Sequence, residues 1–475
     1  MGNIVPQIRG ISLGQDHLWK MKHTTFEKHG LDIVSSIGFF PKARASLWVA
    51  DAMVIKDMVW SRRFPKPLFQ YKILTFFGEN IVVSEGEEWK RYRKIVAPAF
   101  SERNNRLVWD ETTRIMLDLF DNEWKGKQEV AVDHGVDLTL PLALFIIGAA
   151  GFGRQISWAE DAIVPPGHQM TFKEALHFVT QNLVIKLTVP KFALGWTKVF
   201  RQTRLAFEEL HQYLDEMIKE RRSSEKSTET HDLFSSLLKA NEDDGVREGE
   251  VKLSNSELIG NIFIFLVAGH ETTAHSLSFA LAMLALYPDV QEKLYQHISS
   301  VLPDRRIPTY DDMPQLTYSL ATFNESLRMF SPVTAVPKQS NQDTTLVVTD
   351  TNGEKRTINV PKDTILNLDM PGVHYNPKYW EDPHTFNPER FLGEWNRDAF
   401  IPFSAGYRAC VGRKFSEAEG TAVLTLLISR YRVEIKDEPQ FAHETWEQRK
   451  ERVLRAESRV TLAPVRVPLV FKKRD

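Results

Sequence analysis

The sequence predicts a mainly α-helical protein with small β-sheets at its edges. The longest periodic stretch rich in apolar residues, Leu253 to Leu286, has helical spacing and is stopped by Pro288. Alternating runs are short: Thr344 to Val348 and Thr357 to Val360 flank Asn352-Gly353 and read as a hairpin. No repeat at a period of roughly 20 to 50 residues is evident, which argues against a solenoid or propeller. With 475 residues, 42% hydrophobic and 26% charged, the chain has a core-forming composition and enough length to enclose a large cofactor.

The start, MGNIVPQIRG, has no apolar run for a signal or anchor, and Pro6 stands where a myristoylation signal wants Ser or Thr. Two strand-like pieces follow, ARASLWVADA and MVIKDMVW, so residues 1 to about 60 are expected to form a β-rich part packed on the helical body. From Gly86 the chain reads as helix, through EEWKRYRKIVAPAF and then a Leu- and Phe-rich segment from Asp110 to Trp124. The apolar run Leu138 to Phe152 contains Pro141, falls short of the roughly 20 residues of a membrane span, and stops at Gly151-Phe152-Gly153.

A loop rich in Pro and Gly covers Ala159 to Gly167, and helices are expected at Phe172 to Leu187 and Phe200 to Arg222, joined by VPKFALGW. Ser223 to Thr230 and Glu242 to Glu250 read as exposed loops. Beyond the long central stretch lie helices around Gln291 and Leu320, the hairpin, a proline-bearing section from Pro361 to Pro402, and a helix from Arg413 to Tyr431. The tail contains the strand-like RVTLAP and VPLVF.

A formal charge of −2 argues against a general nucleic-acid binder. The single Cys excludes an internal disulfide and any multi-cysteine zinc or iron–sulfur site. That residue, Cys410, sits in Phe403-Ser404-Ala405-Gly406-Tyr407-Arg408-Ala409-Cys410-Val411-Gly412, just before a helix. Two glycines permit a tight turn and close approach to something flat. The helix N-terminus and the charge of Arg408 favour thiolate over thiol. An axial haem ligand requires such a thiolate in an apolar loop lined by glycine.

The loop resembles the cytochrome P450 signature Phe-x-x-Gly-x-Arg-x-Cys-x-Gly, matched at every fixed position by Phe403, Gly406, Arg408, Cys410 and Gly412. Further family motifs lie upstream. Glu325-Ser326-Leu327-Arg328 puts a carboxylate and a guanidinium one turn apart. The resemblance implies that Arg390, in Pro388-Glu389-Arg390-Phe391, completes a structural lock with them. Trp89 and Arg93 match Trp-x-x-x-Arg and are expected to bind a haem propionate, with Lys338 as a further basic partner.

Phe265 to Thr273 places polar groups in the middle of an apolar helix, and HETTAH has the look of a metalloprotease box. That box needs His at i and i+4, about 40° apart on the helix wheel. His270 and His275 are five apart, roughly 140° around, so they cannot share one zinc ion. The segment resembles instead the family's Ala-Gly-x-Asp/Glu-Thr-Thr. By that resemblance Gly269, after Ala268, lets the distal ligand approach the backbone, Thr272 hydrogen-bonds oxygen at the iron, and Glu271 relays protons.

The match runs from about Trp89 to the C-terminus, and the tail from Arg459 to Phe471 looks like the family's last hairpin. The resemblance, strongest to fungal microsomal members, implies the cytochrome P450 fold, with residues 1–475 as one catalytic domain and a monomer. It implies haem b with Cys410 as axial ligand, and insertion of one oxygen atom from O2 into an apolar small molecule. Substrate contacts are expected from Phe265, Ala268, Val333 to Val336 and the loop Pro67 to Phe77.

Electrons are expected from a separate NADPH-cytochrome P450 reductase, with cytochrome b5 as a second donor, docking on Lys90, Arg91, Lys94, Arg413 and Lys414. The expected place is the cytosolic face of the endoplasmic reticulum membrane for a full-length form. The sequence as written shows no span, and the link Pro190 to Trp196 is apolar enough to dip into a bilayer surface. A haem-thiolate isomerase or dehydratase, and a non-catalytic haem-binding protein, remain the alternatives.

Overall fold

A computed structural model describes residues 14, 16–38, 44–154, 157–158, 163–190, 192, 195–224, 232–241 and 252–474. MGNIVPQIRG and Glu242 to Glu250 lie outside these residues, as do parts of three other expected loops.

The helix Asn255–Leu286 forms the centre because almost all of it, from Leu258 on, is apolar or small and therefore buried. A capping box starts it: the Glu257 N–H donates to the Ser254 hydroxyl, and the Ser254 N–H donates to the Glu257 carboxylate. Helix Gly135–Phe152 packs along it. This helix is long and apolar enough to cross a membrane by length and composition, but 94% of it is buried inside the protein. It ends where expected, with Gly153 in the left-handed region. Helices Pro288–Val301, Thr317–Met329 and Arg413–Arg430 pack on the central helix and on one another, and helix Glu102–Asp118 packs on Gly135–Phe152 and Arg413–Arg430.

Among the described residues, eleven strands form four small sheets: β1 (Ile33–Gly38), β2 (Arg44–Val49), β3 (Glu129–Val132), β4 (Ala335–Gln339), β5 (Thr344–Thr349), β6 (Lys355–Val360), β7 (Ile365–Asp369), β8 (Tyr431–Ile435), β9 (Ala456–Ser458), β10 (Leu462–Pro464) and β11 (Leu469–Lys473). β5 and β6 form the expected hairpin, Leu346 opposite Ile358. The first sheet runs β1-β2-β7-β4, so the N-terminal strands are completed by strands some 300 residues away. A main hydrophobic cluster extends from Trp19 to Phe471.

Four local expectations are corrected. MVIKDMVW is not a strand but part of helix Ala52–Trp60: the Asp51 side chain caps it by accepting from the Met53 and Val54 N–H groups. Its buried positions, 52, 54, 55, 58 and 59, repeat with helical spacing. The 172–187 helix is two helices, Phe172–Gln181 and Leu183–Thr188, parted at Asn182. The Leu- and Phe-rich helix starts earlier, at Glu102, and ends in a π-turn over Leu119–Glu123. The two tail strands do not pair with each other: β10 folds back on β9, while β11 lies between β3 and β8.

Candidate functional site

The cysteine loop is held by its own backbone. The Cys410 N–H donates to the Phe403 carbonyl at 2.9 Å, and the Ala409 N–H to the Gly406 carbonyl at 3.2 Å. Gly406 has φ +69, and a Cβ there would lie 2.3 Å from the Val59 carbonyl oxygen. This glycine therefore admits the end of helix Ala52–Trp60 rather than something flat. A Cβ at Gly412 would lie 4.0 Å from Cys410 Sγ and 3.6 Å from the Phe100 ring, in ordinary contact.

Cys410 is free and exposed, yet the protein around it pushes its thiol up by burial, against the pull of the Gly412 N–H and the charges of Arg93 and Arg413. Both facts hold together if the sulfur faces a cleft enclosed by the molecule. Burial thus opposes the thiolate that the Gly412 N–H and the two arginines favour. The loop by itself favours the thiol, and coordination to a metal ion is what removes such a proton. Arg408 does not serve the sulfur. It lies 4.7 Å from the Trp89 ring centroid and donates to the Ser84 carbonyl at 2.7 Å.

Around Arg408 cations gather with little to neutralise them. Lys338 of β4 is buried, and burial, then the charge of Arg408, holds its amine down against the pull of Glu85. Lys66 is pushed down to about 7, first by burial and then by Arg408 and Lys338. Its Nζ donates to the Val82 carbonyl at 2.9 Å and lies over the Tyr71 ring. Glu85 is the acid facing this group, 3.7 Å from Arg408. Arg408 Nη1 is buried with no hydrogen-bond partner. The charge of Arg93 reaches both Arg408 and Cys410, so it joins the cluster to the sulfur.

Such a cluster fits a dianion. A thiol sulfur on one side and an orphaned guanidinium among under-neutralised cations on the other suit haem, with its iron and two propionates. Lys66 and Glu85 carry no motif and have no sequence signal, while Tyr71 lies in the loop Pro67 to Phe77 that is expected to contact substrate.

The central helix is buried from Gly260 to Leu284 except at Ala268, which is exposed, and Gly269 and Thr272, which are partly so. At i, i+1 and i+4 these three share one face. The Thr272 hydroxyl donates to the Ala268 carbonyl at 2.6 Å. Glu271 points elsewhere and is buried, with Oε2 unpartnered. Burial pushes its carboxyl up to about 7, against the Thr180 hydroxyl and the charge of Arg459. A Cβ on Gly269 would lie 3.0 Å from Ile147. The glycine thus permits close helix packing on that side while the backbone beside it stays partly accessible. His270 Nδ1 bonds the Leu266 carbonyl at 3.1 Å, and His275 Nδ1 bonds Thr461 Oγ1 at 2.8 Å. Both histidines are satisfied separately, and no group of metal-ligating side chains occurs among the described residues.

The central helix touches the cysteine region in two places. Thr273 Oγ1 lies 3.5 Å from Ser416 Oγ, and the Phe265 ring stacks obliquely on Phe100, 5.8 Å away. Phe265 is therefore packed towards the cysteine loop. Val336 is half-buried in β4 opposite Leu368, and Val333 is exposed.

Arg328 and Glu325 are fully buried and joined by two hydrogen bonds of 2.7 and 2.8 Å. Arg328 Nη1 also donates to the His374 carbonyl at 2.7 Å. Arg390 reaches Glu325 at 3.4 Å and the Asp382 carbonyl at 2.8 Å, which brings the three expected partners together. In the basic face, Arg91 is engaged instead by Glu257 and the Lys252 carbonyl, and Arg413 and Lys414 share Glu417.

Comparison with known proteins gives a consistent answer. The family model described as Cytochrome P450 matches residues 45–460. Cytochrome P450 monooxygenase 124 of Postia placenta is 56% identical over 460 residues, covering 96% of this chain and 88% of that protein. Cytochrome P450 monooxygenase ORF6 of Penicillium roqueforti is 29% identical over 97% of the chain and 85% of its own length. A crystal structure of the cytochrome P450DA heme domain superposes with a TM-score of 0.79 at 21% identity, covering 99% of this chain and 97% of that one. With motifs, fold and relatives in agreement, this chain belongs to the cytochrome P450 family.

Proposed function

We propose that this haem-thiolate monooxygenase holds haem b through Cys410 and neutralises the propionates with the cations around Arg408. The observation that supports this most is a cluster of buried and partly buried cations, with an orphaned guanidinium nitrogen, whose member Arg408 and the chain's single cysteine sulfur both feel the charge of Arg93. The bound haem supplies oxygen activation, with electron density pushed onto the iron by the thiolate.

Every other role falls to side chains. Trp89, Arg93, Lys338, Lys66 and Arg408 offer N–H donors to carboxylates. Phe403, Gly406 and Gly412 shape the loop. Ala268, Gly269 and Thr272 form the accessible stretch at which oxygen and substrate meet. The Thr272 proton rests on the Ala268 carbonyl, so its oxygen is free to accept. Glu271, with a carboxyl pushed up to about 7, holds and releases a proton at working pH, as a general acid must. Glu325, Arg328 and Arg390 hold the scaffold.

The substrate is an apolar small molecule, contacted by Val333 and Val336, with Phe265 behind the site. Electrons arrive from a separate NADPH-cytochrome P450 reductase or from cytochrome b5, over Lys90, Lys94, Arg413 and Lys414. Phe192 and Trp196 are 75% and 71% exposed, their rings 5.8 Å apart, which supports contact with the cytosolic face of the endoplasmic reticulum membrane. One main core from Trp19 to Phe471 supports a single catalytic domain, and the family resemblance implies a monomer.

The test is the carbon monoxide difference spectrum of the reduced protein. A strongly red-shifted thiolate-type band in the native chain, lost in Cys410→Ser with the protein still folded, is the expected result. A His-type band in both proteins would overturn the assignment.

A further inference from the structure

We propose that a second, cationic cleft binds a small phosphorylated anion. It is a cavity of about 290 Å³ formed where four segments converge: the π-turn after helix Glu102–Asp118, the exit of helix Pro288–Val301, the end of helix Arg413–Arg430, and β11. No residue of the cysteine loop lines it.

Charge is the first argument. Arg305, Arg306, Arg430, Lys473 and Arg474 line the cleft against one carboxylate, Asp121, in a chain whose formal charge is −2. Arg306 is occupied by Asp312 at 2.7 Å, and Arg474 Nη1 by Glu292 at 3.2 Å. Among the described residues neither Arg430 nor Lys473 has an ion-pair partner. Two helices end here, and their C-terminal dipoles contribute only about half a negative charge each. They offset roughly one of these two cations, so the geometry of the donors has to carry the rest.

Geometry is the second argument. The Arg430 guanidinium lies 4.9 Å from the Phe120 ring centroid, and that of Arg474 lies 3.9 Å from the Tyr295 ring. A guanidinium stacked on a ring is held in place, and its N–H donors radiate from the edge. Arg474 Nε is buried and has no partner, a donor left for a ligand to satisfy. Fixed guanidinium forks with a mobile ammonium beside them match phosphate oxygens, which accept from several donors at once. The cavity is at the lower limit for a small-molecule site, so a phosphate or diphosphate group with little else is what fits.

The test is calorimetric titration of the haem-loaded full chain with inorganic pyrophosphate at low salt. One site per chain is expected, weakening as salt rises. Lys473→Glu changes an exposed side chain, and should weaken binding about tenfold, the equivalent of losing one charge-assisted contact. Arg430→Gln combined with Lys473→Gln should weaken it further. The unfolding midpoint and the carbon monoxide spectrum should stay native in each variant. Absence of a site, or equal affinity in Lys473→Glu, overturns the proposal.

Two further arms identify the source. Sedimentation with phosphatidylcholine vesicles carrying a phosphoinositide, lost in Lys473→Glu, assigns a lipid headgroup. Pyrophosphate binding without vesicle binding assigns a soluble phosphate ester. If pyrophosphate binds only after Asp475 is removed, the cleft seats the chain's own end and the proposal fails.

Discussion

Glu271 loses hydration on burial and gains only the Thr180 hydroxyl and the distant charge of Arg459, so its carboxyl rises from 4.5 to about 7. The native state then keeps a proton that the unfolded chain releases. Stability should fall as pH rises from about 4.5 to about 7 and be flat above. Glu271→Gln should abolish that slope and be the more stable protein above neutrality, measured by urea unfolding across pH. Its turnover should drop, and the pH profile of the remainder should lose its inflection near 7. An unchanged profile would remove Glu271 from proton delivery. Thr272→Ala carries a different signature: electron uptake continues while oxidised product falls and hydrogen peroxide is released, read from the ratio of product to NADPH consumed. Glu325→Ala acts through the fold. It leaves Arg328 buried without its carboxylate, which costs about 3–5 kcal/mol of unfolding free energy.

At the scale of elements, His168 fastens the segment before helix Phe172–Gln181 to helix Lys198–Ser224. Its Nδ1 lies 2.8 Å from Glu209 and its Nε2 3.0 Å from Glu216, while its ring stacks on Tyr213 at 3.7 Å. With a carboxylate on each nitrogen both must donate, so the ring is an imidazolium. Burial works against this charge, but Glu216 and Glu209 outweigh it and the pKa is raised above 6.5. The contribution is complete below 6.5 and lost as pH climbs through the raised value. Glu216 is held below 4.5, since Gln212 and His168 outweigh its burial, so its share is lost only on the acid side. Amide exchange in residues 163–170, corrected for intrinsic rates, should accelerate on the alkaline side, and His168→Gln should be fast at every pH. Equal exchange in the two proteins would show that the clasp does not hold the segment. This clasp joins residues about 40 apart and has no sequence motif. The central helix, the Gly153 stop, the cysteine loop and the Glu325–Arg328 pair were legible because spacing within a few turns defines them. Helix Ala52–Trp60 was not legible, because the β-branched residues of MVIKDMVW favour a strand locally while the Asp51 cap and burial at helical spacing decide for a helix in the folded chain. Lys66, Thr180 and Arg459 were not legible either, because only the folded chain brings Lys66 to Arg408 or Arg459 to Glu271.

For the whole molecule, if the cation cluster holds the propionates as proposed, folding and haem binding are interdependent. Without an anion, Lys66, Lys338 and Arg408 repel one another inside a partly desolvated wall, with Glu85 as the opposing charge. The Lys66 amine falls from 10.5 to about 7, so between those values the unfolded chain binds the extra proton. Haem-free protein should therefore gain stability as pH rises from about 7 to about 10.5, and Lys338, shifted in the same direction, adds to the slope. Propionates in contact with these cations restore their charge, so haem-loaded protein should lack the slope. Lys66→Met separates the two effects. In the haem-free state it should raise the unfolding midpoint near pH 7, because a buried repulsion is replaced by an apolar chain. In the haem-loaded state it should lower the midpoint and speed transfer of haem to an acceptor protein, because a propionate partner is lost. A change of the same sign in both states would mean that Lys66 only packs against Tyr71 and takes no part in holding the cofactor.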